Sequence, residues 1–95
     1  MSTEAQLLDA RPRLAPRVRL QADPVTQAAV LLYPEGILEL NETAREIVSR
    51  CDGAVTLGTL IAALEEEFEA APDEMREDVV ACVQDLQRRQ LLVLA

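Results

Sequence analysis

Apolar and polar positions in the first half of the chain follow the pattern of short strands. Arg17–Gln21 alternates between polar and apolar residues, Ala28–Tyr33 is continuously apolar, and Ile37–Leu40 forms a third short run. Alternation with a period of two, and short apolar runs bounded by turn residues, are typical of strands. Asp23-Pro24 and Tyr33-Pro34-Glu35-Gly36 supply turns between the runs. The pattern therefore predicts a three-stranded antiparallel meander, with Val18 and Leu20 facing inward.

After residue 41 the apolar period changes to three and four, which predicts three helices. The first helix is expected over Glu42–Cys51, with Asn41 as its N-cap and Gly53 at a positive φ beyond its end. The second follows the cap Thr56, and the third begins at Pro72. The expected apolar stripes are Ala44, Ile47, Val48 and Cys51, then Leu57, Leu60, Ile61, Leu64 and Phe68, then Met75, Val79, Cys82, Val83 and Leu86. Leu91–Leu94 is predicted to be a last strand.

The first sixteen residues show no period and contain Pro12 and Pro16. Such a segment is typical of a flexible N-terminal arm. We therefore expect an arm over residues 1–16 and one domain over residues 17–95. The predicted fold class is α+β: a three-stranded antiparallel sheet followed by a three-helix bundle, in a winged-helix-like order.

Composition indicates an aliphatic core. The chain has 95 residues, of which 49% are apolar, but its aromatic residues are only Tyr33 and Phe68. A single small domain with a core of Leu, Val, Ile and Ala is expected to have modest stability, to which a bound partner could add.

The charge distribution argues against a nucleic-acid partner. The net charge is −8, and residues 52–95 carry 10 acidic residues against 3 arginines. In a winged-helix order the third helix would take the place of a DNA recognition helix, yet its own charges are predominantly acidic. A protein that reads the major groove needs positive charge to meet the phosphates.

The sequence lacks histidine, which is the commonest general base and the commonest metal ligand. The two cysteines, Cys51 and Cys82, are too few for a structural metal site. We expect both to be buried thiols. Acidic pairs at helical spacing, such as Asp73 with Glu77 or Glu65 with Glu69, are typical of solvated helix faces. The sequence therefore predicts no catalytic residue, no metal and no cofactor.

The chain also lacks a membrane signal. Its longest apolar run, Ala28–Tyr33, has six residues, and its N-terminus has neither a basic start nor an apolar signal core. We expect a cytoplasmic protein with no membrane partner.

The third strand suggests how the chain could bind a peptide. A strand that runs directly into a capped helix leaves a groove between them, and at a sheet edge its unpaired backbone groups can accept an extended peptide. Backbone pairing is expected at Ile37, Leu38, Glu39 and Leu40. Side chains that flank the buried helical stripes are expected to supply pockets: Arg45, Val48, Val80, Val83, Gln84 and Gln87.

Several short motifs together resemble the PqqD family of small peptide-binding proteins. They are Leu40-Asn41-Glu42-Thr43-Ala44, Ile47, Cys51-Asp52-Gly53, Thr56-Leu57, Asp78-Val79, and Leu86 leading to Leu91-Leu92. The resemblance covers about residues 13–94. Gln90 departs from it, because the family pattern has glycine before the last apolar pair.

The resemblance implies a peptide chaperone in pyrroloquinoline quinone (PQQ) biosynthesis. Members of the family resemble winged helices and bind the ribosomal precursor peptide PqqA as an added strand. They present it to PqqE, a radical S-adenosylmethionine enzyme that cross-links a glutamate and a tyrosine of the peptide. The chaperone itself performs no chemistry.

Three alternatives stay open at the level of the sequence. The same fold could recognise the leader of another modified peptide, such as a lasso peptide. A winged-helix DNA-binding protein is a second reading, which the acidic charge disfavours. An enzyme that uses paired carboxylates, such as Asp73 with Glu77 or Glu65 with Glu69, is a third reading, which the frequency of such pairs on solvated helix faces disfavours. Separately, a homodimer could form through the same sheet edge.

Overall fold

The computed structural model describes residues 3–69 and 71–95. It contains helices and strands in a mixed order, with a three-stranded antiparallel sheet and four helices among the described residues. The elements are α1 (Thr3–Asp9), β1 (Pro12–Leu14), β2 (Arg19–Ala22), β3 (Ala29–Tyr33), β4 (Gly36–Glu39), α2 (Glu42–Val48), α3 (Leu57–Phe68), α4 (Pro72–Arg88) and β5 (Leu92–Leu94).

The predicted meander is confirmed. Its strand order is β2-β3-β4, and both pairings are antiparallel, with Leu31 opposite Leu20 on one side and opposite Leu38 on the other. β2 begins two residues later than predicted because Arg17 has a φ of 71°, a left-handed conformation that an extended strand cannot contain. Val18, which precedes the strand, is still buried.

The N-terminal segment differs from the predicted flexible arm. Within residues 3–16, α1 packs Leu7 and Leu8 against the core, and β1 pairs with β5. The two strands are extended by reciprocal hydrogen bonds between Arg11 and Ala95, at 2.8 and 3.1 Å. Neither element has enough residues to show a period in sequence, which is why the pattern missed them. The last strand is confirmed at Leu92–Leu94, but its partner was not predicted.

The first turn of α3 is shaped to receive α1. A Cβ atom on Gly58 would lie 3.4 Å from the carbonyl oxygen of Leu8, which is van der Waals contact, so the two helices approach closely here. The N–H of Leu57 also donates to the carbonyl of Ala10 at 2.8 Å.

Both predicted N-caps are confirmed. The Oδ1 atom of Asn41 accepts from the N–H of Ala44 at 2.7 Å, and the Oγ1 atom of Thr56 accepts from the N–H of Thr59 at 3.2 Å. These bonds satisfy N–H groups that a helix start leaves without a partner. α2 is shorter than predicted, because it ends at Val48 rather than at Cys51.

Gly53 has the predicted positive φ, at 79°, but it serves the sheet rather than a helix end. Its N–H donates to the carbonyl of Pro12 at 2.9 Å, and the neighbouring Asp52 forms a bridge with Arg13. The turn after α2 therefore lies against the outer side of β1.

The core is aliphatic, as predicted. Leu31, Ile47, Leu57, Leu60, Leu64, Val79, Val83 and Leu92 are its most deeply buried side chains. Phe68 was expected on the buried stripe of α3, but its side chain is 48% exposed. It is the last residue of the helix, where the stripe passes beyond the edge of the core.

Candidate functional site

β4 is an edge strand. It pairs with β3 on one side, and no strand within the described residues pairs with its other side. An edge of this kind presents N–H and C=O groups that another extended chain can pair with.

The register identifies which backbone groups point outward. The N–H of Leu40 donates to the carbonyl of Ala29 at 2.8 Å, so Leu40 faces β3. In an antiparallel strand, the backbone N–H and C=O groups of every second residue face the partner strand. The backbone groups of Leu38 therefore also face β3. The N–H and C=O groups of Ile37 and Glu39 consequently point away from the sheet, toward the free edge.

The side chains of β4 alternate in the perpendicular direction. Leu40 is buried and Leu38 is half-buried, so both point toward the helices. Ile37 is 65% exposed, and Glu39 is also exposed on the same outer face. A strand added beside β4 would therefore meet hydrogen-bonding groups at its edge and apolar side chains toward the interior.

A groove of about 520 Å³ runs beside β4 and separates it from α4. The N-terminal half of α2 closes one end of this β4 groove, and the Asn41 cap fixes the start of that helix. The lining residues are Leu38, Glu39, Leu40, Asn41, Thr43, Ala44, Ile47, Asp78, Ala81, Cys82, Asp85 and Leu86. The groove can therefore receive the inward side chains of an extended peptide.

The β4 groove is apolar within and acidic at its margins. Glu39, Asp78 and Asp85 line it, and no basic residue does. Asp85 accepts from Arg89 at 3.0 Å and from Arg88 at 3.5 Å. The hydrogen bond from Arg89 is the main cause that lowers the pKa of Asp85. The negative charge of Asp85 is thus balanced by Arg88 and Arg89, whereas Glu39 and Asp78 leave negative charge at the groove.

The two cysteines differ in environment. Cys51 is buried, as predicted, and its Sγ atom lies 3.2 Å from the carbonyl oxygen of Ile47. Burial, with smaller contributions from Cys82 and Asp52, raises the pKa of Cys51 to about 12. Cys82 is half-buried and lines the groove, which corrects the expectation that it is fully buried. Partial burial, followed by the charge of Asp85, raises the pKa of Cys82. Both thiols are free.

The residues predicted to contact a peptide fall into different places. Leu38, Glu39 and Leu40 line the β4 groove, and Ile37 lies on the same strand. Val48 is 2% exposed and Val83 is fully buried. These two valines were expected to flank the buried stripes, and the structure corrects this, because they lie inside the core.

The other four predicted residues lie on different faces. Val80, Gln84 and Gln87 line a separate hollow with Leu7, on the side of α4 that faces α1. Arg45 lies beside β2 and lines a small hollow there. The structure does not bring these four residues to the β4 groove.

Sequence reasoning missed the groove residues of α4. Asp78, Ala81 and Asp85 follow a helical spacing along one flank of the buried stripe, and Val80, Gln84 and Gln87 follow the other flank. Periodicity identifies both flanks equally well. Only the position of β4 in three dimensions decides which flank faces the free edge.

Comparison with known proteins identifies the family. Residues 28–92 match the family model of coenzyme PQQ synthesis protein D (PqqD). The chain belongs to the PqqD family. The matched segment contains every residue that lines the β4 groove, but it leaves out α1, β1 and β2.

Curated relatives and a solved structure agree with this assignment. A PqqA binding protein of Pseudomonas aeruginosa is 40% identical over 74 residues, which cover 78% of this chain and 79% of the relative. One from Xanthomonas oryzae is 37% identical over 86 residues, covering 90% and 94%. The solution structure of the PqqD truncation of Methylobacterium extorquens PqqCD aligns with a TM-score of 0.75 and 29% identity, covering 90% of this chain and 89% of that one.

The Methylobacterium protein is described as a functional, stand-alone recognition element for ribosomally synthesised and post-translationally modified peptides. The structural similarity to this protein supports the mixed helix and strand architecture over 90% of the present chain. Among the helices of the described residues, none is both long and apolar enough to cross a membrane.

Proposed function

We propose that this PqqD-family chain binds the precursor peptide PqqA as a strand added along β4, in the biosynthesis of PQQ. Two relatives that are 37–40% identical to it are named PqqA binding proteins. The observation that carries the proposal is the outward direction of the N–H and C=O groups of Ile37 and Glu39, beside a groove lined by apolar side chains.

Backbone pairing alone would bind a peptide weakly. Ile37 and Glu39 offer four outward groups, and each hydrogen bond contributes about 0.5–1.5 kcal/mol, or roughly 2–6 kcal/mol together. Ordering a flexible peptide costs about 2–5 kcal/mol or more. The affinity must therefore come largely from the β4 groove.

The groove can supply this affinity through alternate peptide side chains. Successive side chains of an extended chain point to opposite faces, so every second one would enter the groove. There it would meet Leu38, Ala81 and Leu86. Complete burial of one large apolar side chain contributes about 1.5–3 kcal/mol. Two such side chains would offset the cost of ordering the peptide and leave a favourable free energy of binding.

We further propose that the loaded chain presents PqqA to the radical S-adenosylmethionine enzyme PqqE, that it performs no chemistry itself and that it acts in the cytoplasm. The added strand would leave the solvent face of the peptide accessible to the enzyme. A reaction of PqqE with PqqA, followed by mass spectrometry of the cross-linked product, tests presentation. Product formation that is equally fast with and without the chain would contradict it.

Replacement of Glu39 by proline tests strand addition directly. The N–H of Glu39 is not used by β3, so Glu39→Pro removes an outward donor without breaking the β3–β4 ladder. We expect the affinity for synthetic PqqA of Pseudomonas aeruginosa to fall more than about tenfold, since a lost bond and a blocked strand register together exceed 1.4 kcal/mol. Isothermal titration calorimetry measures the change.

Two matched controls separate strand addition from other effects. Glu39→Ala removes the same side chain but keeps the N–H, and Ala22→Pro places proline at an outward N–H of the opposite edge strand, β2. Both variants should bind PqqA nearly as well as the unchanged chain. Strand addition at β4 is wrong if folded Glu39→Pro binds as tightly as Glu39→Ala.

A homodimer through β4 would occupy the same edge as the peptide. Sedimentation velocity with and without PqqA distinguishes the two states. If a dimer forms through this edge, added peptide should convert it to a one-to-one complex.

A further inference from the structure

A second pocket lies next to the β4 groove, beyond the C-terminal end of β4. It has a volume of about 330 Å³ and is bounded by α2, the C-terminal end of α3 and the N-terminal half of α4. Thr43 and Asp78 line both this distal pocket and the β4 groove. The two cavities are therefore neighbours that share part of their walls.

The floor of the distal pocket is apolar. Leu64 and Met75 are buried beneath it, and the ring of Phe68 borders it with 48% of the residue exposed. Phe68 is one of the two aromatic residues of the chain. An exposed ring at the margin of a cavity provides a flat surface on which a ligand side chain can pack.

The rim of the distal pocket is acidic. Glu42, Glu46 and Asp78 line it, and no basic residue does. Glu46 is paired with Arg50 at 3.2 Å, whereas the described residues give no ion pair to Glu42 or Asp78. The positive end of α2 is partly satisfied by the Asn41 cap, and two full carboxylate charges exceed its remaining partial charge. The pocket therefore favours a cation.

We propose that the distal pocket binds an arginine or lysine side chain of the peptide that occupies β4. This inference rests on the proposed function, because the peptide is the same. The aliphatic stem packs on Met75 and Phe68, and the cationic head lies between Asp78 and Glu42. A cation that reaches the face of Phe68 gains a further attraction from the ring.

The path of the peptide supports this assignment. A strand paired with Ile37 and Glu39 has one end near Leu40 and Asn41, where the chain turns into α2. Glu42 and Thr43, the first residues of α2, follow at this end and line the distal pocket. The basic side chain therefore belongs to the part of the peptide just outside the paired segment, whichever direction the added strand takes.

Charge removal at the rim tests the proposal. Asp78→Asn and Glu42→Gln each remove one negative charge with little change in shape. Glu77→Gln is the matched control, since it removes one charge from the next position of α4 but lines the hollow near α1. We expect Asp78→Asn to lower the affinity for synthetic Pseudomonas aeruginosa PqqA by about 3- to 10-fold, and Glu77→Gln to lower it by less than about 2-fold.

Peptide variants locate the partner of Asp78. Each lysine of PqqA is replaced in turn by norleucine and each arginine by citrulline, and every peptide is titrated against the unchanged chain and against Asp78→Asn. For one basic residue, the effect of Asp78→Asn should disappear once that residue is neutral, as a double-mutant cycle detects. Phe68→Leu keeps an apolar residue but removes the ring. It should lower the affinity for the peptide that carries this basic residue.

The outcomes separate this inference from the proposed function. If PqqA binds and Glu39→Pro weakens binding more than about tenfold, but Asp78→Asn behaves like Glu77→Gln, the distal pocket assignment is wrong and strand addition stands. An effect of Asp78→Asn that is equal for every neutralised peptide would also overturn it, because it would reflect only the general negative field. Failure of the unchanged chain to bind PqqA overturns both.

Discussion

At the scale of single residues, Glu39 shows how one position can serve two surfaces. Its side chain is exposed on the outer face of the sheet, while its N–H and C=O groups point along the sheet plane to the free edge. Under the proposed strand addition, binding through the backbone would place little demand on the side chain of Glu39. The proposal therefore predicts that position 39 tolerates most residues but not proline.

The reactivity of the Cys82 thiol can be used to test whether the β4 groove is occupied. Its thiol lines the groove, and its raised pKa lowers the thiolate fraction at neutral pH. We expect N-ethylmaleimide to modify Cys82 slowly at pH 7 and about tenfold faster for each pH unit until the pKa is approached. Cys51, buried and with a pKa raised to about 12, should stay unmodified in the folded chain.

Bound PqqA should protect Cys82, because a strand beside β4 would cover the groove. Mass spectrometry of proteolytic fragments measures the rate at each cysteine, and Cys82→Ser provides a blank. Modification of Cys51 before Cys82, or a Cys82 rate that saturating PqqA leaves unchanged, would contradict this view of the groove.

At the scale of elements, the C-terminal end of α4 carries a local strain. Gln90 has a φ of 63°, the N–H of Leu91 donates to the carbonyl of Leu86, and that of Gln90 donates to the carbonyl of Gln87, each at 2.9 Å. This pattern is a Schellman motif with glutamine at the position that favours glycine. The family resemblance predicts glycine here, and the left-handed backbone explains why.

Gln90→Gly should stabilise the fold. A left-handed backbone costs a residue with a side chain about 1–2 kcal/mol, and the greater entropy of glycine in the unfolded chain offsets about 0.5–1 kcal/mol of that. We expect the free energy of unfolding to rise by about 0.5–1 kcal/mol, as measured by urea denaturation.

Arg89→Gly is the matched control for this change. Arg89 has a right-handed φ of −78°, so glycine there relieves no strain and should lower the free energy of unfolding. The assigned backbone conformation is wrong if Gln90→Gly destabilises the chain as much as Arg89→Gly does.

The elements that the sequence predicted are those with a local signal. β3 and β4 are short apolar runs bounded by turn residues, α3 and α4 have longer apolar stripes, and α2 and α3 begin at side-chain caps. These signals depend only on neighbouring residues. α1 and β1 depend on contacts with α3 and β5, which are distant in sequence, so no local pattern revealed them. The proposed site on β4 was predicted for the same local reason, whereas the side of α4 that lines the groove beside it could be identified only from the tertiary structure. The winged-helix likeness stays a prediction.

At the scale of the whole molecule, the N-terminal segment is an integral part of the fold. Pro12 is among the most deeply buried residues, and Leu7, Leu8 and Leu14 pack against the core. The N–H of Ala15 donates to the carbonyl of Leu91 at 3.0 Å. Removal of this segment would expose β5 and one face of α3.

Deletion of residues 1–16 should therefore lower the free energy of unfolding. Loss of three half-buried leucines alone corresponds to about 2–4 kcal/mol, at half of the value for complete burial. Urea denaturation measures the loss, and deletion of residues 1–10, which keeps β1, should cost less. A truncated chain as stable as the full one would support the flexible arm that the sequence predicts.

The pairing of β1 with β5 also affects the order in which the strand pairs form during synthesis. Pro12 lies opposite Leu94, so β1 leaves the ribosome early and has no strand partner until β5 is made. Contacts between such distant segments form slowly, because a long loop must close first. The β3–β4 hairpin has no such delay, since its strands are adjacent in sequence. A nascent chain could thus form the proposed peptide-binding edge at β4 before β1 pairs with β5.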